Sequence, residues 1–166
     1  MTWDGSFLAT LAVSGGAAFV VALAGGLLTK TGTWYQALRK PSWKPPDWAF
    51  GPIWTVILVL AAVSAALAWD GAATERERGL VFAALVLNSI LNILWSGIFF
   101  RLRRPDWAFA EVLALWASIL GLIVVFARSS SLAAIFLIPY LVWVTIAAVL
   151  NYRIMRLNRP FGVENA

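Results

Sequence analysis

Five apolar runs, at about 6–28, 48–69, 79–100, 107–127 and 132–155, leave this chain few choices of fold. A helix rises about 1.5 Å per residue, so some 20 apolar residues cross the roughly 30 Å of bilayer hydrocarbon. Each run meets that length. Backbone polar groups in hydrocarbon must bond within their own segment, which makes each run a helix. The expectation is an all-α integral membrane protein, a single domain of 166 residues forming a five-helix transmembrane bundle. Composition agrees: 61% hydrophobic and 13% charged residues, with mean hydropathy +0.82, leave too little polar surface to coat a soluble domain.

Charge orients the bundle. A net charge of +5 and a pI near 10.2 would point to nucleic acid in a soluble protein. Here the basic residues fall in the connections instead. Those alternate sides, with 3 Lys/Arg on one side against 10 on the other. The excess of Lys and Arg on cytoplasmic connections places the N-terminus outside and the C-terminus in the cytoplasm. The flank Met1–Gly5 carries no Lys or Arg, so the first run lacks the basic start of a cleavable signal peptide and reads as an uncleaved span.

Absent residues exclude much chemistry. With neither cysteine nor histidine, the chain has no thiolate nucleophile, disulfide, imidazole base or usual haem axial ligand, and no metal site is expected. No tightly bound cofactor is expected either.

One connection is unlike the others. The lid loop 29–47 and the start of the second run pack Trp34, Tyr35, Trp43, Trp48 and Trp54 among prolines and Arg39, Lys40 and Lys44. A loop so rich in aromatics reads as the lid of a site, not a disordered linker. Its Pro46-Asp47-Trp48-Ala49-Phe50 recurs as Pro105-Asp106-Trp107-Ala108-Phe109. Both copies start a span, and proline at the first turn, an acid at the positive end of the dipole and an interfacial tryptophan explain the repeat without duplication. The mixed-charge stretch before Gly79 reads as a simple solvated connection.

Helical spacing gathers polar and aromatic residues into stripes. Asn88, Asn92, Trp95 and Phe99 share one face of the third span, and Tyr140, Trp143, Ala147 and Asn151 one face of the fifth. Phe50 and Trp54 pair on the second. An unpaired amide in hydrocarbon costs several kcal/mol, so the two asparagines must meet a neighbouring helix or a cavity. Broad indole faces on three spans, with a small residue at Ala147, suit a large, flat, apolar ligand fixed by a few amide bonds. On the first span Ser14, Ala18, Ala22 and Gly26 form a small-residue face where another helix backbone, or a flat ligand, could come close, and this face and Gly97 on the third span offer dimer surfaces.

These motifs carry a family resemblance. Trp34-Tyr35, Lys40-Pro41 with Trp43, Pro45, Pro46 and Trp48, then Trp54, then Asn88, Asn92 and Trp95 with Phe99-Phe100, then Pro139-Tyr140, Trp143, Ala147 and Leu150-Asn151 resemble the TspO/MBR family. These are the tryptophan-rich sensory proteins related to the mitochondrial translocator protein, or peripheral-type benzodiazepine receptor. The resemblance implies a bacterial multi-pass membrane protein, commonly a homodimer, that binds porphyrins such as protoporphyrin IX, together with sterols and synthetic benzodiazepine-receptor ligands. It assigns ligand contact to Trp34 and Tyr35 in the lid and to Trp54, Asn88, Asn92, Trp95, Trp143 and Ala147 in the pocket. The stripes add Phe50 and Tyr140, and the lid adds Trp43. A cholesterol-recognition pattern is matched by Leu150, Tyr152 and Arg156, and the family's light-dependent breakdown of protoporphyrin IX would use Trp54 and Trp143.

Three functions follow as expectations: a porphyrin-binding receptor or sensor that regulates tetrapyrrole levels, a light-dependent porphyrin-degrading enzyme, and a porphyrin or lipid transporter. Arg39, Lys40 and Lys44 are candidates to pair with porphyrin propionates. The transporter reading is weaker, because the spans hold few ionisable residues to couple ions; Glu111 is the main candidate, near a span end where Arg101, Arg103 or Arg104 are close enough in sequence to pair with it.

Overall fold

The computed structural model describes residues 5–161. The flank Met1–Asp4, on which the signal-peptide reading mostly rests, lies outside the described residues. Helix α1 spans Gly5–Leu28, α2 is a short lid helix at Thr33–Ala37, and α3 spans Asp47–Asp70. Helix α4, Glu75–Ser96, runs on through a wide π turn at Gly97–Arg101. Helix α5 spans Pro105–Ala127, and the last crossing is built from α6, Ser131–Phe136, and α7, Ile138–Leu157. Five crossings long and apolar enough to span a membrane result, as expected.

The boundaries show local chemistry overriding charge. Residues before Gly79, expected to be solvated loop, form the first turn of α4 because Thr74 and Glu77 make a reciprocal cap. The Glu77 amide donates to Thr74 Oγ1 and the Thr74 amide to Glu77 Oε2, both at 3.2 Å. Arg78 then pairs with Glu75 at 2.9 Å. The last crossing is not one continuous helix: it breaks at Leu137, two residues before Pro139, whose ring favours the first turn of a new helix.

The two repeated starts differ below their shared surface. Trp48 and Trp107 are both exposed, as headgroup anchors should be. The Arg104 guanidinium forks onto Asp106 and lies 4.3 Å from the Trp107 ring centroid, after a reversal carried by Arg103 at φ 55°. Asp47 is held by Lys44 instead. Phe109 turns to Tyr152, ring centroids 5.3 Å apart, whereas Phe50 turns inward to Trp143 at 5.4 Å.

Far from the lid, packing is tight. Phe126, Ile119, Leu122 and Leu137 are sealed among Ala66, Ala68 and Ala133, and the Ser64 hydroxyl donates to the Ala133 carbonyl at 2.6 Å. A Cβ added at Gly71 would stand 2.5 Å from the Ser129 carbonyl oxygen, so only glycine lets these chain segments approach so closely.

One expected contact is absent. Glu111 is buried on α5 with neither carboxyl oxygen bonded among the described residues. Arg104 is committed to Asp106 and Arg101 donates to the Leu27 carbonyl, so the expected pairing of Glu111 with the basic turn does not form. The glycine at 97 faces its own chain: an added Cβ would meet Leu28 Cδ1 at 3.9 Å.

Candidate functional site

Beneath the lid the helices do not close. A cavity of about 490 Å³ lies between α1, α3, α4, α5 and α7, with Tyr35 of the lid at its edge. Each wall is a helical stripe. On α3, Asp47, Phe50, Gly51, Trp54, Thr55 and Leu58 face it at three- and four-residue spacing; on α1, Val21, Ala22, Gly25 and Gly26 do, with Thr29 just past its end. Asn92, Trp95, Ser96 and Phe100 come from α4 and its π turn, Val112 and Leu115 from α5, and Trp143, Val144 and Ala147 from α7.

A hydrogen bond ties one ring of the wall, Trp95, to a neighbouring crossing. The Trp95 indole donates to Asn151 Oδ1 at 3.0 Å, and Asn151 Nδ2 donates to the Pro105 carbonyl at 2.7 Å. That fixes one ring to two other crossings. Trp95 also stacks on Phe99, with centroids 5.3 Å apart and planes at 30°. Trp54 meets the edge of Tyr140 at 5.9 Å. Edge-on contacts of this kind suit the aromatic quadrupole.

The two asparagines divide the work that their spacing left undivided. Asn92 Nδ2 donates to the Tyr140 hydroxyl at 2.7 Å, which donates in turn to Asn88 Oδ1 at 3.2 Å. Asn88 Nδ2 continues the chain to Ser118 Oγ at 2.9 Å. Asn92 lines the cavity; Asn88, one turn deeper, does not. The amide chain thus joins α4, α5 and α7 and presents one amide to the hollow.

Of the residues singled out for ligand contact, Tyr35, Phe50, Trp54, Asn92, Trp95, Trp143 and Ala147 are brought together on the cavity wall. Trp34, Trp43, Asn88 and Tyr140 stand off it. Trp34 packs against the edge of Phe99 at 6.0 Å, Trp43 is exposed on the lid, and Tyr140 is sealed behind Trp54. The sterol pattern does not form one surface, because Leu150 is turned into the core while Tyr152 and Arg156 lie outside, one turn apart. Nor do Arg39, Lys40 or Lys44 line the cavity. Asp47, Gly51 and Thr55 escaped the sequence reading, although extending the Phe50–Trp54 stripe by one position at each turn finds them.

The lid is pinned at both ends. The Arg39 amide donates to Asn158 Oδ1 and Asn158 Nδ2 donates to the Arg39 carbonyl, both at 2.8 Å, so one side chain mimics a strand partner. At the other end the Tyr35 hydroxyl donates to Asp47 Oδ1 at 3.1 Å. Burial, then the neighbouring Asp47 charge, pushes the Tyr35 phenol well above its ordinary pKa and keeps it a donor. Lys40 lies over the Tyr35 ring, 4.4 Å from its centroid, and its pKa is lowered by desolvation and then by Lys44.

The geometry defines a class first: a five-crossing membrane bundle with an aromatic-walled hollow under a pinned lid. Comparison with known proteins then gives the family, since residues 12–157 match that described as the TspO/MBR family, and the chain belongs to it. It is 38% identical over 153 residues to the tryptophan-rich protein TspO of Chlorobaculum tepidum, which covers 90% of this chain and 96% of the relative. It is 33% identical over 133 residues to the tryptophan-rich sensory protein of Cereibacter sphaeroides, covering 80% and 82%. Against the human translocator protein identity is 34% over 126 residues, covering 75% of each. The protein is therefore an integral membrane protein, as its five apolar crossings require.

Proposed function

We propose that the cavity receives a large, flat, apolar ring, a porphyrin such as protoporphyrin IX, and that the protein is a membrane receptor or sensor of tetrapyrrole load. One observation carries this reading: the indoles of Trp54, Trp95 and Trp143, from three crossings, wall a single hollow with one amide, Asn92, among them. Its volume falls within the roughly 300–1,000 Å³ usual for small-molecule sites. The indole rings on the wall supply stacking, and Asn92 supplies orientation. Sterols share the flatness and apolarity but offer no π face, so they rank below the porphyrin. Without histidine or cysteine, iron adds no strong ligand, and haem gains nothing over the metal-free ring.

Equilibrium quenching of tryptophan fluorescence by protoporphyrin IX, haem and a sterol tests this in detergent. Saturable quenching is expected, with haem no tighter than protoporphyrin IX. Quenching that does not saturate, or that survives unchanged when Gly51→Leu fills the hollow, would sink the reading.

Light-dependent breakdown of the bound porphyrin is the second reading. It is favoured by Trp54 and Trp143 both facing the cavity as oxidisable neighbours of an excited ring. Bleaching under illumination should slow in the Trp54→Phe, Trp143→Phe double variant; an unchanged rate with binding intact leaves only the receptor. The excess of Lys and Arg on the lid side supports placing that side in the cytoplasm. A reporter active only outside the cytoplasm should be silent when fused at the C-terminus.

A further inference from the structure

Two aromatic pairs bridge α3 and α7. Phe50 meets Trp143 and Trp54 meets Tyr140, with ring centroids 5.4 and 5.9 Å apart. Rings of that size hold the two backbones apart, and on the outer side of the seam mostly short side chains remain to fill the gap. They do not fill it. A groove of about 400 Å³ is left there, with buried Ile57 and Trp143 as its floor and exposed Pro52, Val56, Val142 and Ile146 as its rim. No side chain that lines it carries a charge, a hydroxyl or an amide. Trp143 borders the central cavity as well: on α7, Val144 and Ala147 face the cavity while Val142 and Ile146 face the groove. One indole therefore separates the two hollows.

The surroundings of the groove say what fills it. Trp48 stands one turn above Pro52 on the same face of α3 and is 76% exposed, as suits an indole at the headgroup level, so this face looks onto lipid. Pro52 to Ile57 lie about 8–15 Å into α3 by the helical rise, inside the lid-side half of the roughly 30 Å of hydrocarbon. At that depth the bilayer offers acyl methylenes, not headgroups. An unfilled groove would forfeit the dispersion contacts of its lining, and a rigid ring with polar edges would leave those edges unmet. A flexible tail does neither. We propose that the groove seats one phospholipid acyl chain, lodged between α3 and α7 against Trp143. The tail then lies behind the same ring that walls the ligand cavity, whatever that cavity holds.

The chain has no cysteine, so one introduced thiol carries one label. A bimane fluorophore is attached at Val59→Cys, next to the rim, or at Ile90→Cys on the exposed face of α4; these side chains are 57% and 56% exposed. Each labelled protein is titrated in detergent with a phosphatidylcholine brominated midway along its tails. Bromine quenches on contact, so quenching reports a tail beside the label. At Val59→Cys a saturable component is expected, half complete at a lipid fraction about three- to tenfold below that for Ile90→Cys. Val56→Phe with Val142→Phe fills the groove and should bring the two curves together. Coincident curves in the unfilled protein, or a saturable component that survives filling, overturn the proposal. So does a label at Val59→Cys that the lipid does not quench and whose emission changes on dilution, which would put a second copy of the chain on this face. The two labels decide the matter even if the filled variant misfolds.

Discussion

The half of the bundle under the lid and the half farthest from it are made by the same crossings and pack in opposite ways. Helix α3 shows the contrast along its own length. Its far half, Ala61 to Ala68, is nearly all small residues, and α5 and α6 close on it until Ala66, Ala68 and Ala133 are fully buried. Its lid half alternates Phe50 and Trp54 with Gly51 and Thr55, and the neighbouring crossings stay apart. Small residues let helix backbones approach, and in a bilayer close van der Waals contact is a main source of association. Large rings on three crossings, one of them, Trp95, tied by a hydrogen bond to Asn151 on another crossing, keep the helices spread. One half supplies stability and the other supplies space.

Substitutions can break that contrast, and their expected effects on the fold descend in order. Phe126→Ala removes a fully buried ring from the solid half and should cost about 3–5 kcal/mol, read as a fall in thermal midpoint in detergent, with porphyrin affinity per folded molecule unchanged. A loss below about 1 kcal/mol would mean the far half relaxes as freely as the hollow one.

Asn151→Leu strikes the join between halves. It strips the Trp95 indole and the Pro105 carbonyl of their partner, so about 1–3 kcal/mol of stability should go, and porphyrin quenching should weaken as well because the freed indole no longer holds its wall. Stability lost with unchanged binding would show that Trp95 is placed by packing alone.

Ser64→Ala deletes one interhelical hydrogen bond in the solid half, where about 0.6–2 kcal/mol is the usual worth, and should leave ligand titrations as they were. The smallest effect on the fold belongs to Gly51→Leu. A Cβ there meets nothing within 4 Å, so stability should hold or rise by about 0.5–1 kcal/mol from helix propensity, while porphyrin affinity drops at least tenfold. Opposite signs for fold and binding in this one variant are the sharpest test that the open half is open for a ligand.

Much of this was legible in the chain. Run lengths fixed five crossings because bilayer thickness does, and the spacing of Trp95, Trp143, Phe50 and Trp54 placed their faces on three helices. What periodicity could not resolve was depth. Asn88 and Asn92 share a face, yet only the second reaches the cavity, because the Tyr140 hydroxyl and Ser118 take up the first. Trp34 and Trp43 have the lid's composition but not its inner surface. Glu111 was expected beside the basic turn; the turn's arginines found nearer partners in Asp106 and the Leu27 carbonyl.

By itself the sequence determined the crossings, their interfacial anchors and the faces that carry rings and amides, since these depend on hydrophobic length and on a fixed helical pitch. Tertiary structure decided which members of each face meet a void, which meet each other, and that Asp47 reaches the cavity's edge paired with Lys44. Those outcomes depend on how far neighbouring helices approach, and that distance is set jointly by side chains far apart in the chain.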